Sequence, residues 1–191
     1  MTYEIPEDKQ FYTVSELRSE GFSYYKINKL VETGRLERLN KSTYKNTSFC
    51  GDETDFAIAA KYAPKGIICM LSAARYYDLT TFLPDSVDVA IERSMKISTF
   101  PDWPVLTVWY YPQERYETGV VPASDGSFRI YDIEKTVVDI LYYRNKVGIE
   151  ETSGILKYYL SRKGRDLVKL RRYANRLGCE KILATYLEVL L

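Results

Sequence analysis

Two glycines, Gly21 and Gly34, each close a short stretch with helical spacing, and they constrain the start of this chain more than any other feature. Phe11-Tyr12-Thr13 reads as a short extended segment leading into a helix. Thr13 is placed to cap that helix, and Glu16 three residues on completes a capping box. Gly21 stops it, because glycine accepts the left-handed conformation without a Cβ clash. Ser23 offers a second N-cap, after which Tyr24, Ile27, Leu30 and Val31 recur on one helical face that ends at Gly34. Two short helices joined by a turn of three or four residues with a glycine make a helix-turn-helix.

The rest of that unit follows from the spacing. With Tyr24, Ile27, Leu30 and Val31 inward, Tyr25, Lys26, Asn28, Lys29, Glu32 and Thr33 face out. Lysine can contact guanine or phosphate, and asparagine can pair with adenine in the major groove. Beyond Gly34, residues 35–39 and 43–45 read as two short strands around the polar turn Asn40-Lys41-Ser42, a hairpin wing. Arg35, Arg38, Lys41 and Lys45 stand where a wing meets phosphates. The alternation is imperfect, since Leu36 and Leu39 fall on opposite faces of an ideal strand. Helix-turn-helix units also dock on proteins, so the pattern alone leaves both uses open. A unit this small buries little surface and is expected to dock on the remainder of the chain.

The function classes excluded are broad. The 191 residues contain no histidine, which removes Ser-His-Asp and Cys-His nucleophile pairs and every histidine-ligated metal site. Cys50, Cys69 and Cys179 are scattered with no CxxC pair, as in a reducing compartment. There is no GxxxxGK[ST] or GxGxxG loop to cradle phosphates. The polar start and the absence of a long apolar run fit a cytoplasmic chain without a membrane segment.

A net charge of +1 hides an uneven distribution. Residues 23–46 hold 6 basic and 2 acidic side chains, residues 47–156 hold 10 and 16, and residues 157–191 hold 9 and 3. Two basic blocks around an acidic middle fit a polyanion partner, or basic helices lying on an acidic domain. The 18 tyrosines include five doublets without a fixed period, so they mark no repeat array. Each doublet can stack on bases, or sit at the core edge with its hydroxyl outward.

The remainder reads as a second domain from residue 49 to 191, after a first one over 1–48. Helices are expected over 52–62 and 67–78, strands over 87–91, 105–111 and 128–131, and a helix capped by Asp132. Three more helices near 150–162, 166–177 and 179–191 form a bundle-like tail. The fold class is therefore α+β, a small winged helix-turn-helix followed by a mixed α/β domain. Arg162, Lys163, Arg165, Lys169, Arg171, Arg172 and Arg176 cover the polar faces of two tail helices, either a solvated face or a second nucleic-acid surface. Leu167, Leu170, Ala174 and Leu177 make a buried stripe, and the last helix is apolar on most sides, for burial or a homodimer contact. Asp85, Asp88, Glu92 and Lys96, or Asp132, Glu134 and Lys135, loosely match a metal-dependent nuclease. Their spacing is generic: Asp132 reads as a cap, and Asp88 and Glu92 as the solvent face of a strand.

Several ordered segments carry a family resemblance. They are residues 30–38, Ser72-Ala73-Ala74-Arg75-Tyr76-Tyr77-Asp78-Leu79-Thr80-Thr81, residues 131–139, residues 144–148, and Gly164-Arg165-Asp166-Leu167 leading into residues 173–177. Together they resemble the AbiEi antitoxins of bacterial type IV toxin–antitoxin systems over nearly the whole chain. The resemblance implies a winged helix-turn-helix that binds inverted repeats in its own promoter and represses the operon. It also implies a C-terminal domain that neutralises a nucleotidyltransferase-like toxin without a stable complex. On this reading the chain is no enzyme, holds no metal or cofactor, and is a monomer or weak homodimer. Metal-dependent nuclease and RNA-directed or protein-docking module remain the alternatives.

Overall fold

The computed structural model describes residue 5 and residues 9–49 and 53–190; Cys50 and the expected helix start at Asp52 lie outside them. The architecture is α+β. Five short elements open the chain: β1 (Phe11–Thr13), α1 (Val14–Ser19), α2 (Tyr24–Glu32), β2 (Leu36–Arg38) and β3 (Thr43–Asn46). The three strands form an antiparallel sheet in the order β1-β3-β2. Against one face of that sheet α1 and α2 bury Leu17, Ile27 and Leu30 with Tyr12, Leu36 and Tyr44.

Leu36 and Leu39 do point to opposite faces, and both are buried. Leu36 fills the core under the helices, whereas Leu39 packs with Phe11 against Tyr62, beside Ile58 and Leu106. The outer face of the small sheet is thus its attachment to the rest of the chain. The odd alternation was the signature of a two-sided sheet.

The second sheet has the order β6-β5-β4-β8-β7, built from β4 (Ile67–Ile68), β5 (Val87–Glu92), β6 (Leu106–Tyr111), β7 (Val120–Pro122) and β8 (Arg129–Tyr131). β4 runs parallel to β8 and antiparallel to β5, and β5 runs parallel to β6. The helices of this part are α3 (Asp55–Tyr62), α4 (Met70–Tyr76), α5 (Gln113–Glu117), α6 (Ile133–Tyr142), α7 (Arg144–Val147), α8 (Ile149–Ser161), α9 (Leu167–Arg176) and α10 (Glu180–Leu190). One face of the sheet, with Ile68, Val89, Ile91 and Ile130, packs on Ala59 and Ala63 at α3. The other, with Ile67, Ala90 and Tyr131, packs on α6. Helices α8, α9 and α10 surround α6, so the expected bundle-like tail has α6 as its axis.

Four expectations change. The helix expected over 67–78 is a central strand followed by a shorter helix, because Ile67 and Ile68 are buried on opposite faces of the sheet. The helix expected from Asp52 starts at Asp55 behind a Thr54 cap. Leu167 is exposed rather than in the α9 stripe, while Leu170 and Ala174 are buried. Helix α10 buries Leu183 and half-buries Ile182, Tyr186 and Leu187, but leaves Val189 exposed. It packs on one side only.

A buried charge cluster lies under α6. Asp139 is inaccessible and pairs with the equally buried Lys135 one turn earlier, and with Arg115 of α5 at 2.5 Å. Arg115 also donates to the Leu177 carbonyl at the end of α9, 2.8 Å away. The one carboxylate faces two cations, and tyrosine rings supply the missing negative potential. Lys135 lies 3.9 Å from the Tyr131 ring, and Arg115 lies 3.9 Å from that of Tyr142. Burial pulls Lys135 below its ordinary pKa, against the opposing attraction of Asp139. Gly119, at φ +75°, passes so close that a Cβ there would meet Lys135 Cβ at 2.7 Å. Asp139→Asn strands two buried cations and should lower unfolding stability by about 3–5 kcal/mol. Exposed Glu188→Gln should stay within about 0.5 kcal/mol, both measured by urea unfolding.

Candidate nucleic-acid interface

The helix-turn-helix is set by caps at both helix starts. The Thr13 N–H and hydroxyl donate to Glu16 Oε2, and the Glu16 N–H donates back to Thr13 Oγ1 at 3.2 Å. Lys9 adds an ion pair to Glu16 at 2.7 Å. Ser23 Oγ accepts from the Lys26 N–H at the start of α2. Residues 20–23 make the turn, with Gly21 at φ +86°, and Gly34 at φ +71° follows the end of α2.

Helix α2 buries Ile27 and Leu30, half-buries Val31, and exposes Tyr25, Asn28, Lys29 and Glu32 as one stripe at i, i+3, i+4 and i+7. Lys26 is half-buried on its flank. Lys29 forms an exposed pair with Glu32 at 2.8 Å, which raises the lysine pKa. Tyr24 departs from expectation: it is 59% exposed and stacks under Arg18 at 5.1 Å. In the first turn of a short helix it lies off the arc centred on Ile27 and Leu30. Tyr24 and Arg18 thereby line an open groove with Thr13, Val14, Ser15 and Ser42, between α1, α2 and the wing turn. Arg18 went unnoticed in the sequence; its place in the last turn of α1, beside the turn to α2, was the signal.

The wing divides the four cations assigned to it. Residues directly paired across strands share a sheet face. Arg38 pairs with Tyr44 and so lies on the helix side, whereas Lys45 pairs with Phe11 and Glu37 and lies on the outer side. Lys45 sits 4.0 Å from Glu37 there, on the face that holds Phe11 and Leu39. Lys41 is exposed at the turn. Arg35 lies just past the C-terminal end of α2, three residues beyond Glu32. The wing tip is anchored: Asn40 Nδ2 donates to the Lys61 carbonyl at 3.3 Å, and Asn40 Oδ1 accepts from the Ser42 N–H and hydroxyl. The structure thus brings together Tyr25, Lys26, Asn28 and Lys29 on α2, puts Arg38 on the helix side of the sheet and leaves Lys41 exposed at the turn, and turns Lys45 away.

The basic tail divides similarly. Arg162, Lys163 and Arg165 stand in the loop between α8 and α9 rather than on helix faces. Arg162 donates to the Tyr77 carbonyl at 2.6 Å, and Arg176 pairs with Glu114 at 3.0 Å. Arg171 and Arg172 are exposed on α9. Lys169 turns inward, 3.0 Å from Glu134 and 3.2 Å from Asp132. Burial opposes its charge, but the two carboxylates outweigh that and hold its pKa above the ordinary value. Tyr173 donates to Asp132 and Tyr159 to Glu134, so this cluster ties α8 and α9 to the start of α6.

Of the candidate nuclease carboxylates, Asp132 and Asp88 have structural partners. Asp132 caps α6 through the Lys135 N–H. Asp88 is buried rather than on a solvent face: Oδ2 accepts from the Ser72 N–H at 3.2 Å and Oδ1 from Trp109 at 2.8 Å. It caps α4 from the neighbouring strand, where Cys69 offers no side-chain cap and Met70 holds φ +46°. Burial pushes its carboxyl above the ordinary range despite those donors. Among the described residues no group of three Asp, Glu or Cys converges to hold a metal ion.

No family model matches the chain, and no curated protein matches it. Among solved structures, the crystal structure of the RV2827C protein from Mycobacterium tuberculosis superposes with a TM-score of 0.49 at 14% identity, covering 95% of this chain and 76% of that one. Among the described residues no helix is long and apolar enough to cross a membrane.

Two expected outcomes follow from the contacts at α1 and α9. Hydrogen bonds from Lys9 and Thr13 lower Glu16 from 4.5 to about 2. Its contribution is therefore full above pH 4.5 and lost as the pH falls toward 2. The stability gap between the parent and Glu16→Gln, followed by thermal melts, should close over that window. Lys169→Ala should cost about 1–3 kcal/mol by leaving Asp132 and Glu134 without their cation. Arg171→Ala on the same helix should stay within about 0.5 kcal/mol in the same urea titration.

Proposed function

We propose that this chain is a sequence-specific DNA-binding protein that represses its own operon and acts as an antitoxin, after the manner of the AbiEi family it resembles. The observation that carries the reading is the α2 stripe. Tyr25, Asn28 and Lys29 project together from a helix whose opposite face is locked by Ile27 and Leu30, and the hairpin that follows carries the exposed wing-turn Lys41. A helix of this kind enters the major groove with its exposed side chains toward the base edges. Asn28 is the residue for adenine, and Lys29 reaches guanine or phosphate once released from Glu32. Lys26, Arg35, Arg38 and Lys41 supply cations for the phosphates, and Arg18 joins them from α1. Lys45 and Lys169 take no part.

The partner in this reading is an operator of inverted repeats in double-stranded DNA, met in the cytoplasm. The second module neutralises a nucleotidyltransferase-like toxin without forming a stable complex with it. No catalytic step, metal or cofactor is involved.

Fluorescence-anisotropy titration with the duplex upstream of the gene, and with a scrambled duplex, at two salt concentrations tests the reading. Preferential, salt-weakened binding is expected; equal binding to both duplexes overturns it. Asn28→Ala should cost about 1–3 kcal/mol on the operator and nothing on the scrambled duplex. Lys41→Ala should flatten the log–log salt slope by about 0.9 on both. Lys45→Ala, from the opposite sheet face, should leave that slope unchanged.

A further inference from the structure

We propose that β6 is a dimerisation strand, through which two copies of this chain join edge to edge, antiparallel, into one ten-stranded sheet. β6 lies at one end of the five-stranded sheet. The Val105 carbonyl accepts from the Val87 N–H at 2.8 Å, and the Tyr111 carbonyl from the Arg93 N–H at 2.9 Å. Backbone groups alternate sides along a strand, so 105, 107, 109 and 111 address β5. Leu106, Val108 and Tyr110 therefore turn their N–H and C=O groups outward. Among the described residues no backbone group pairs with them.

Folded proteins guard such edges with charges, prolines, bulges or brevity. The opposite edge, β7, is three residues long and ends in Pro122. β6 is six residues, Leu-Thr-Val-Trp-Tyr-Tyr, without a charge or a proline, and about 20 Å long. Apolar surface lies on it and just before it: Tyr110 is 53% exposed, and Trp103 and Val105 are 64% and 50% exposed. An unguarded edge flanked by aromatic and aliphatic surface is a docking strand.

The pattern selects a second copy as the occupant. A two-fold axis at Val108 sets Val108 opposite Val108 and Leu106 opposite Tyr110, and all the outward groups of both copies then pair at once. Each facing pair holds a β-branched or aromatic side chain, Leu106 meeting the Tyr110 ring, and no like charges meet across the axis. A closed two-fold contact of this kind ends with the dimer and propagates no fibre. The same axis would relate two α2 helices, as inverted repeats require, but the inference stands on the sheet edge and not on DNA binding.

Sedimentation equilibrium of the full chain, with residue-resolved amide exchange, tests it without DNA. The expected mass is twice 22.2 kDa, with the Leu106, Val108 and Tyr110 amides protected in step with dimer formation. Tyr110→Asp, at an exposed side chain, should return the mass to 22.2 kDa with unchanged circular dichroism. A mass of 22.2 kDa at every concentration overturns the proposal. So does a dimer whose three amides exchange rapidly, or a folded Tyr110→Asp that stays dimeric. Should that variant not fold, exchange in the parent chain decides.

Discussion

The second module depends on how one buried carboxylate is surrounded. Asp139 sits on the axial helix between Lys135 and Arg115, and Arg115 reaches on to the Leu177 carbonyl. An ion cluster in this position costs desolvation, so its members must satisfy each other fully. Here the surplus cation is met by the faces of Tyr131, Tyr111 and Tyr142, which accounts for part of the tyrosine abundance. Because Arg115 comes from α5 and Leu177 from the end of α9, the cluster sets where the tail helices lie against the sheet. A second ring of contacts, Lys169 with Asp132 and Glu134, closes the same helices at the other end of α6.

The first module inherits its orientation from that body. Leu39 and Phe11 have no place under α1 and α2, and they are buried only because α3 and β6 offer Tyr62, Ile58 and Leu106. The Asn40 bond to the Lys61 carbonyl holds the wing turn to the same surface. The wing turn and the sheet that carries α2 are thus both tied to the same body.

Much of this was legible in the sequence, for local reasons. The capping box at Thr13 and Glu16, the cap at Ser23, the glycine stops and the Asp132 cap all involve residues within four positions of each other. What escaped depends on partners far apart in the chain. Lys169 and Glu134 are 35 positions apart, and nothing in a basic run marks which lysine turns inward. Asp88 caps α4 across a strand pairing, and Ile67–Ile68 became a strand because sheet neighbours cover both sides. Lys45 was separated from Arg38 by hairpin register, which three-residue strands leave open until the pairing is known.

We propose that the exposed stripe of α2 and the wing turn form a DNA-reading face. Amide and side-chain NMR shifts of the full chain, recorded while the upstream duplex is added, test it most directly. The account predicts that the largest shifts fall on Tyr25, Asn28, Lys29 and Lys41, while Lys45 and Lys169 stay unmoved. Shifts concentrated on α9 and the loop before it, with α2 silent, would contradict it.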